Sequence, residues 1–271
     1  MVSVFRGFVV VVPLLCSIAA IVLSALAIAG QTKAAQPVKD IYMLQINLTE
    51  ATSTFSSLTS GSVNLESYGI GEIYSFGMWG YCKGDSQDGK YNVTYCSKPK
   101  SMYVFDPVSL FEDELNVSVT LPDKVKDYIT VSKVVSKLIF ITGLIGACSA
   151  VLTGVFTIVS FKSHMVSCIA MLFGIISFVA LALCAAASTA MFSIFEKYFN
   201  DEASTYGITA SLGDKHFYAF IWAATAAALI ACILNFFAIC CGSTRSRGGE
   251  PKMGYHERGY SSDYKHGSDS D

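Results

Sequence analysis

Residues 8–29 read FVVVVPLLCSIAAIVLSALAIA, a run without one Asp, Glu, Lys, Arg or His. A helix rising 1.5 Å per residue needs roughly 20 such residues to cross about 30 Å of hydrocarbon, and this run has them. Three more follow: Leu138 to Phe161, Met165 to Phe195 and Phe217 to Cys241. Uncharged stretches of this length are solvated only by lipid or by one another. The chain is therefore expected to be a membrane α-helical protein with helices at 8–29, 138–161, 165–195 and 217–241. They would be joined by a large outer loop at 30–137, a turn at 162–164 and a second outer loop at 196–216, with an N-terminal segment at 1–7 and a tail at 242–271. The third run exceeds the bilayer, so its last turns, from near Phe192, should tilt or project. The first run also admits reading as a cleaved signal peptide, because Ala25-Leu26-Ala27 and Ala27-Ile28-Ala29 have the small-x-small pattern. It exceeds the roughly 7 to 15 apolar residues of such peptides, which favours a retained helix.

Composition agrees with the membrane class: of 271 residues 52% are hydrophobic and 15% charged, and mean hydropathy is +0.48. The formal charge of −2 and scattered lysines offer no basic field for nucleic acid. Arg6, Arg245, Arg247 and Arg258 all fall on segments that four crossings place on one side, which the positive-inside rule makes the cytoplasm. The three glycosylation sequons, Asn47-Leu48-Thr49, Asn92-Val93-Thr94 and Asn116-Val117-Ser118, are confined to residues 30–137, and sequons are used only on the lumenal side. Both termini are then expected inside.

Of nine cysteines, Cys16, Cys148, Cys168, Cys184 and Cys232 sit within the apolar runs and Cys240 and Cys241 at the inner edge. Only Cys82 and Cys96 reach the oxidising side, so one pairing is available; closing their loop restricts the unfolded chain by about 3 kcal/mol. The surroundings read as β-structure. Ile70 to Tyr81 is aromatic and β-branched, Lys90 to Cys96 alternates, and Asp88-Gly89 supplies a turn. Period two puts Tyr91, Val93 and Tyr95 on one face and Asn92, Thr94 and Cys96 on the other. After Pro122-Asp123, a helix start, Val125, Tyr128, Ile129 and Val135 recur at near-helical spacing, so the second membrane helix should begin well above the bilayer, with Lys133 and Lys137 at the headgroups.

Gly77-Met78-Trp79-Gly80-Tyr81-Cys82, with Cys96 downstream in the first outer loop of a four-helix chain, resembles the claudin superfamily signature Gly-Leu-Trp-x-x-Cys…Cys. Cys96-Ser97-Lys98-Pro99 and Phe105-Asp106-Pro107 look more like the fungal branch, which holds eisosome or cortical-patch tetraspan proteins and PalI-type pH-response regulators. The resemblance covers residues 1–245. It implies a claudin-like four-helix bundle under a small disulfide-stapled antiparallel sheet from the first outer loop, with the second outer loop a further source of strand. It also implies that Cys82 and Cys96 staple two strands and that Trp79 wedges between sheet and helices. A tryptophan, with an apolar body and one N–H donor, suits that seam on physical grounds; an ordinary loop-core position suits it as well. The chain departs from the pattern at Met78, in lacking a second tryptophan upstream of Trp79, in its longer inter-cysteine loop, and in ending Asp269-Ser270-Asp271 rather than on an apolar residue for a PDZ groove. Tight-junction pore formation is not implied.

Within the runs, the absence of charge argues against a self-contained transporter. Asn235 is expected in an interhelical hydrogen bond. Gly146, Ala150 and Gly154 recur every four residues, giving a smooth helix face for an internal neighbour or a second copy, and Ala185–Ala187 and Ala226–Ala228 offer the same two choices. Cys240 and Cys241 are either S-acylation sites or unmodified membrane-edge thiols. The tail, rich in Gly, Ser, Asp and Tyr, is expected to be disordered, with Tyr255, Tyr260 and Tyr264 as phosphorylation candidates. His164, His216, His256 and His266 are scattered, so no catalytic residue, cofactor or metal site is expected. The function expected is that of a non-enzymatic plasma-membrane tetraspan organising a fungal cortical domain, with membrane lipids, itself, other cortical membrane proteins and cell wall as partners. The short tail favours this over the pH-response branch. The alternatives are a sensor or accessory subunit of another membrane protein and a cell-contact or fusion protein.

Overall fold

The computed structural model describes residues 2–51, 71–87, 90–106, 109, 123–159, 164–204, 207–213 and 216–241. Four helices, α1 (Val2–Ala29), α2 (Asp123–Val159), α3 (His164–Ala203) and α4 (His216–Cys241), form an antiparallel bundle in which α2 packs most extensively on α3, and α1 on α4. Each is long and apolar enough to cross a membrane, so this is a multi-pass membrane protein. At 37 and 40 residues, α2 and α3 measure about 55 and 60 Å and overshoot the hydrocarbon by several turns. The third helix runs on past Phe195 to Ala203.

Within the bundle, hydroxyls turn back onto their own helices: Ser17 donates to the Pro13 carbonyl (2.8 Å), Thr153 to Ser149 (2.8 Å) and Thr225 to Ile221 (2.8 Å). Backbone bonding of this kind satisfies a polar side chain where no water can. The Ser177 hydroxyl of α3 crosses to the Gly146 carbonyl of α2 (2.9 Å). Gly146 lies so close to α3 that a Cβ would stand 2.7 Å from Leu181, whereas Gly154 faces Ile21 and Ser17 of α1 and Ala150 is buried. This stripe therefore meets neighbours inside the chain. Asn235 is buried on α4, and its amide nitrogen has no hydrogen-bond partner among the described residues; the interhelical bond expected of it is not made through that atom.

Above one end of the bundle stands an antiparallel sheet in the order β4-β3-β2-β1-β5, from β1 (Leu44–Asn47), β2 (Ile73–Phe76), β3 (Tyr81–Gln87), β4 (Lys90–Cys96) and β5 (Thr209–Leu212). The second loop thus completes the first loop's sheet. The strands run toward and away from the bundle. Leu44, Phe76, Tyr81, Cys96 and Leu212 mark the membrane-proximal end, and Asn47, Ile73, Gln87, Lys90 and Thr209 the distal end.

Two sequence expectations are corrected here. Ile70 to Tyr81 is not one strand: β2 stops at Phe76, and a turn closed by the Gly77 N–H on the Gly80 carbonyl (2.8 Å) reverses the chain into β3. Nor does β4 alternate strictly. Gly84 pairs with Val93 and Lys83 with Tyr95, leaving Thr94 as an extra residue between them. Such a bulge inverts side-chain parity. Tyr91 and Val93 are half-buried as expected, but Tyr95 turns out, 49% exposed, and Cys96 turns in. Gly84 makes the bulge feasible, because any Cβ there would collide with the Asn92 carbonyl.

Gly84→Ala should therefore destabilise the hairpin by about 1–3 kcal/mol, the usual cost of overpacking. Thermal unfolding of detergent-purified protein should show a lowered midpoint, while the conservative surface change Lys83→Arg on the same strand should not.

Candidate functional site

The sheet is seated on the bundle by the turn Gly77-Met78-Trp79-Gly80 and the strap Tyr103-Val104-Phe105-Asp106. In the turn, both glycines are sites of close approach. A Cβ on Gly77 would stand 2.6 Å from the Gln31 side chain at the end of α1, and one on Gly80 would strike the Ser97 hydroxyl, which accepts from the Tyr81 N–H (3.0 Å). The turn thereby drops Met78, 4% exposed, between α2 and α3. Gly143 of α2 leaves the room, since a Cβ there would touch the Met78 methyl and the Cys184 sulfur, each at 3.3 Å. Met78 is the deeper of the two residues at this seam. Trp79 stays half-buried on the flank, its ring edge-on to Phe140 of α2 (4.8 Å between centroids).

Phe105 ties three elements together. Its ring meets Phe76 of β2 (4.9 Å), Phe192 (5.3 Å) and Phe195 (5.0 Å) of α3, all edge to face, the arrangement that ring quadrupoles favour. Its backbone is clamped by α2: the Phe105 N–H donates to the Ser136 hydroxyl (3.3 Å), and the Ser132 hydroxyl donates to the Phe105 carbonyl (2.6 Å). Lys133 adds an ion pair with Asp106 (3.4 Å). Sequence reasoning used Phe105 only as a resemblance; serines at 132 and 136, one turn apart on a long apolar helix, were the signal available for its clamp.

Cys82 and Cys96 are bonded across the β3–β4 register at the membrane-proximal end. Behind them lies a buried polar network. The Ser75 hydroxyl donates to Gln31 Oε1 (3.0 Å) and shares a hydrogen bond with the Tyr91 hydroxyl (2.8 Å), while Gln31 Nε2 donates to the Lys39 carbonyl (2.6 Å). Burial pushes the Tyr91 phenol up to about 12, with Ser75 pulling weakly the other way. On the opposite side, Asn200 of α3 bonds both backbone groups of Ala210 (2.7 and 2.8 Å), and Glu196 accepts from the Leu212 N–H (3.3 Å). These side chains pair the outer edge of β5 as a strand would.

Of the sequons, Asn47 and Asn92 are exposed, at the end of β1 and within the distal half of β4; Asn116 lies outside the described residues. Cys240 and Cys241 are the last residues of α4, and their side chains lie outside the described set.

A four-helix membrane bundle carrying a cystine-braced antiparallel sheet, seated through a Gly-x-Trp turn, defines a claudin-like tetraspan. The model of the SUR7/PalI family matches residues 9–234, and the chain belongs to that family. It is similar to Protein PUN1 of Saccharomyces cerevisiae, 29% identical over 244 residues that cover 85% of this chain and 89% of that one. It is also similar to SUR7 family protein pun1 of Schizosaccharomyces pombe, 32% identical over 183 residues, 60% of this chain and 58% of that one.

Phe105→Ala should cost about 3–5 kcal/mol and uncouple the sheet from the bundle, read as a lowered unfolding midpoint and protease cleavage within 97–106. Met78→Leu, near-isosteric, should cost under about 1.5 kcal/mol, whereas Met78→Ala should cost about 2–5. Tyr91 gives a pH dependence. Its folded pKa is raised above the ordinary value near 10, so its contribution is complete below about pH 10 and is lost as pH rises toward about 12. In Tyr91→Phe the fall of the unfolding midpoint across that window should be shallower than in wild type.

Proposed function

We propose that this protein is a non-enzymatic organiser of a cortical domain in the fungal plasma membrane, with the sheet outside the cell and both termini in the cytoplasm. The observation that carries this reading is the build of the body. The four apolar runs contain no charged side chain, and the sheet is fixed to them by a buried, largely apolar seam around Met78 and Phe105. Charged residues or broken helices are what transport pathways need. All four helices instead present apolar side chains outward, including Leu15 and Ile18 on α1, Ile145 and Val155 on α2, Leu172 and Leu183 on α3, and Ile230 and Phe237 on α4. Such a body acts by packing laterally among lipids and membrane proteins while displaying a rigid platform. Membership of the SUR7/PalI family supports the setting. Asn47 and Asn92, on the distal half of the platform, are the natural glycan carriers, and Cys240 and Cys241 are positioned for S-acylation at the cytoplasmic edge.

Tagged protein in living cells should form static surface patches that recover slowly after photobleaching, and the Cys82→Ser, Cys96→Ser variant should disperse or be retained internally. Uniform, freely exchanging fluorescence would defeat the reading. Recovery of one stoichiometric channel or receptor on purification would replace it with an accessory-subunit role. Peptide N-glycosidase should shift the wild-type band but not that of the triple variant Asn47→Gln, Asn92→Gln, Asn116→Gln; an unshifted wild type would reverse the orientation argument.

A further inference from the structure

The membrane-proximal rim of the sheet is not neutral. Past Cys96 the chain passes Lys98 and Lys100, both exposed, and the Lys100 N–H donates to the Trp79 carbonyl (2.8 Å). Trp79 lies on Phe140, and Lys137, also exposed, stands three residues before Phe140, one turn nearer the sheet on the same helix face. Three ammonium groups are thus carried on segments anchored around one half-buried tryptophan. Among the described residues none of the three has a carboxylate partner; the ion pair found nearby, Lys133 with Asp106, leaves them aside. Directly below Lys137, Leu138, Ile141 and Ile145 are exposed at i, i+3/i+4 spacing and continue as an apolar stripe into the span. Positive charge with no carboxylate partner among the described residues, above an exposed apolar stripe and beside a half-buried tryptophan, complements one chemistry.

We propose that Lys98, Lys100 and Lys137 around Trp79 form a binding site for the phosphate of an anionic phospholipid whose acyl chains lie along Leu138, Ile141 and Ile145. The inference rests on the reading that membrane lipids are this protein's working partners, and it names the headgroup class and the place. An outward cationic rim of this kind would select which lipids surround the bundle.

The test uses the full chain in nanodiscs of phosphatidylcholine with a minor fraction of phosphatidylglycerol, followed by native mass spectrometry of the lipids it retains. Wild type should keep phosphatidylglycerol in preference to phosphatidylcholine, and Lys98→Gln, Lys100→Gln, Lys137→Gln together should lower that preference roughly a hundredfold, at about fivefold per lysine. Lys90→Gln, at the distal end, should leave it unchanged. Should the triple variant unfold, Lys137→Gln alone carries the comparison, with about a fivefold loss. Inorganic phosphate at millimolar concentration should not displace the lipid; displacement would make the site a free-anion site and overturn the assignment. Equal retention by wild type and variant would overturn the site yet leave the cortical role untouched. Dispersed patches in cells with retention intact would sink that role and leave the site standing.

Discussion

Phe105 occupies the point at which a soluble-type β-sheet and a lipid-solvated bundle have to become one body. Water can satisfy an unpaired N–H or C=O and hydrocarbon cannot, so an irregular segment that passes from one to the other has to find its partners within the protein. The strap through Phe105 meets this demand twice: the ring closes an aromatic junction with Phe76, Phe192 and Phe195, and the hydroxyls of Ser132 and Ser136 take up its carbonyl and N–H. The overshoot of α2 and α3 beyond the bilayer follows from the same need, because both the serines and the phenylalanines sit near the top of those helices. Met78 completes the junction from the opposite side, and its place depends on Gly143 having no side chain.

The sheet is consequently polarised along its strands. Its membrane-proximal end holds the disulfide, the Gly-x-Trp turn, the aromatic junction and the lysine rim; its distal end holds two of the sequons and the hairpin tip. Covalent and packing constraints thus concentrate where the sheet must keep a fixed pose on the helices.

The four spans and the pairing of Cys82 with Cys96 were legible because each rests on a local or arithmetic property: uncharged length, and a count of thiols on one side. The break in Ile70 to Tyr81 was hidden because aromatic, β-branched composition is the same on both sides of a turn, and the signal lay in Gly77 and Gly80, which serve contacts with Gln31 and Ser97 that no local pattern displays. Thr94 escaped for a similar reason. A bulge is a property of two strands, and its enabling residue, Gly84, is on the other one. Met78 was not singled out for depth, because the narrow space over Gly143 that takes its flexible thioether is a property of α2 and not of the turn. The pairing of Asn200 with Ala210 joins residues that propensity treats separately.

That last pairing bears on how copies of the chain can associate. A five-stranded open sheet ordinarily offers two edges for strand addition. Here α3 has closed one of them with an amide and a carboxylate, and among the described residues only β4 remains open. Annealing through a single sticky margin is self-limiting: it stops at a pair and cannot propagate as a ribbon. An array built by strand addition through that edge alone would therefore end at two copies.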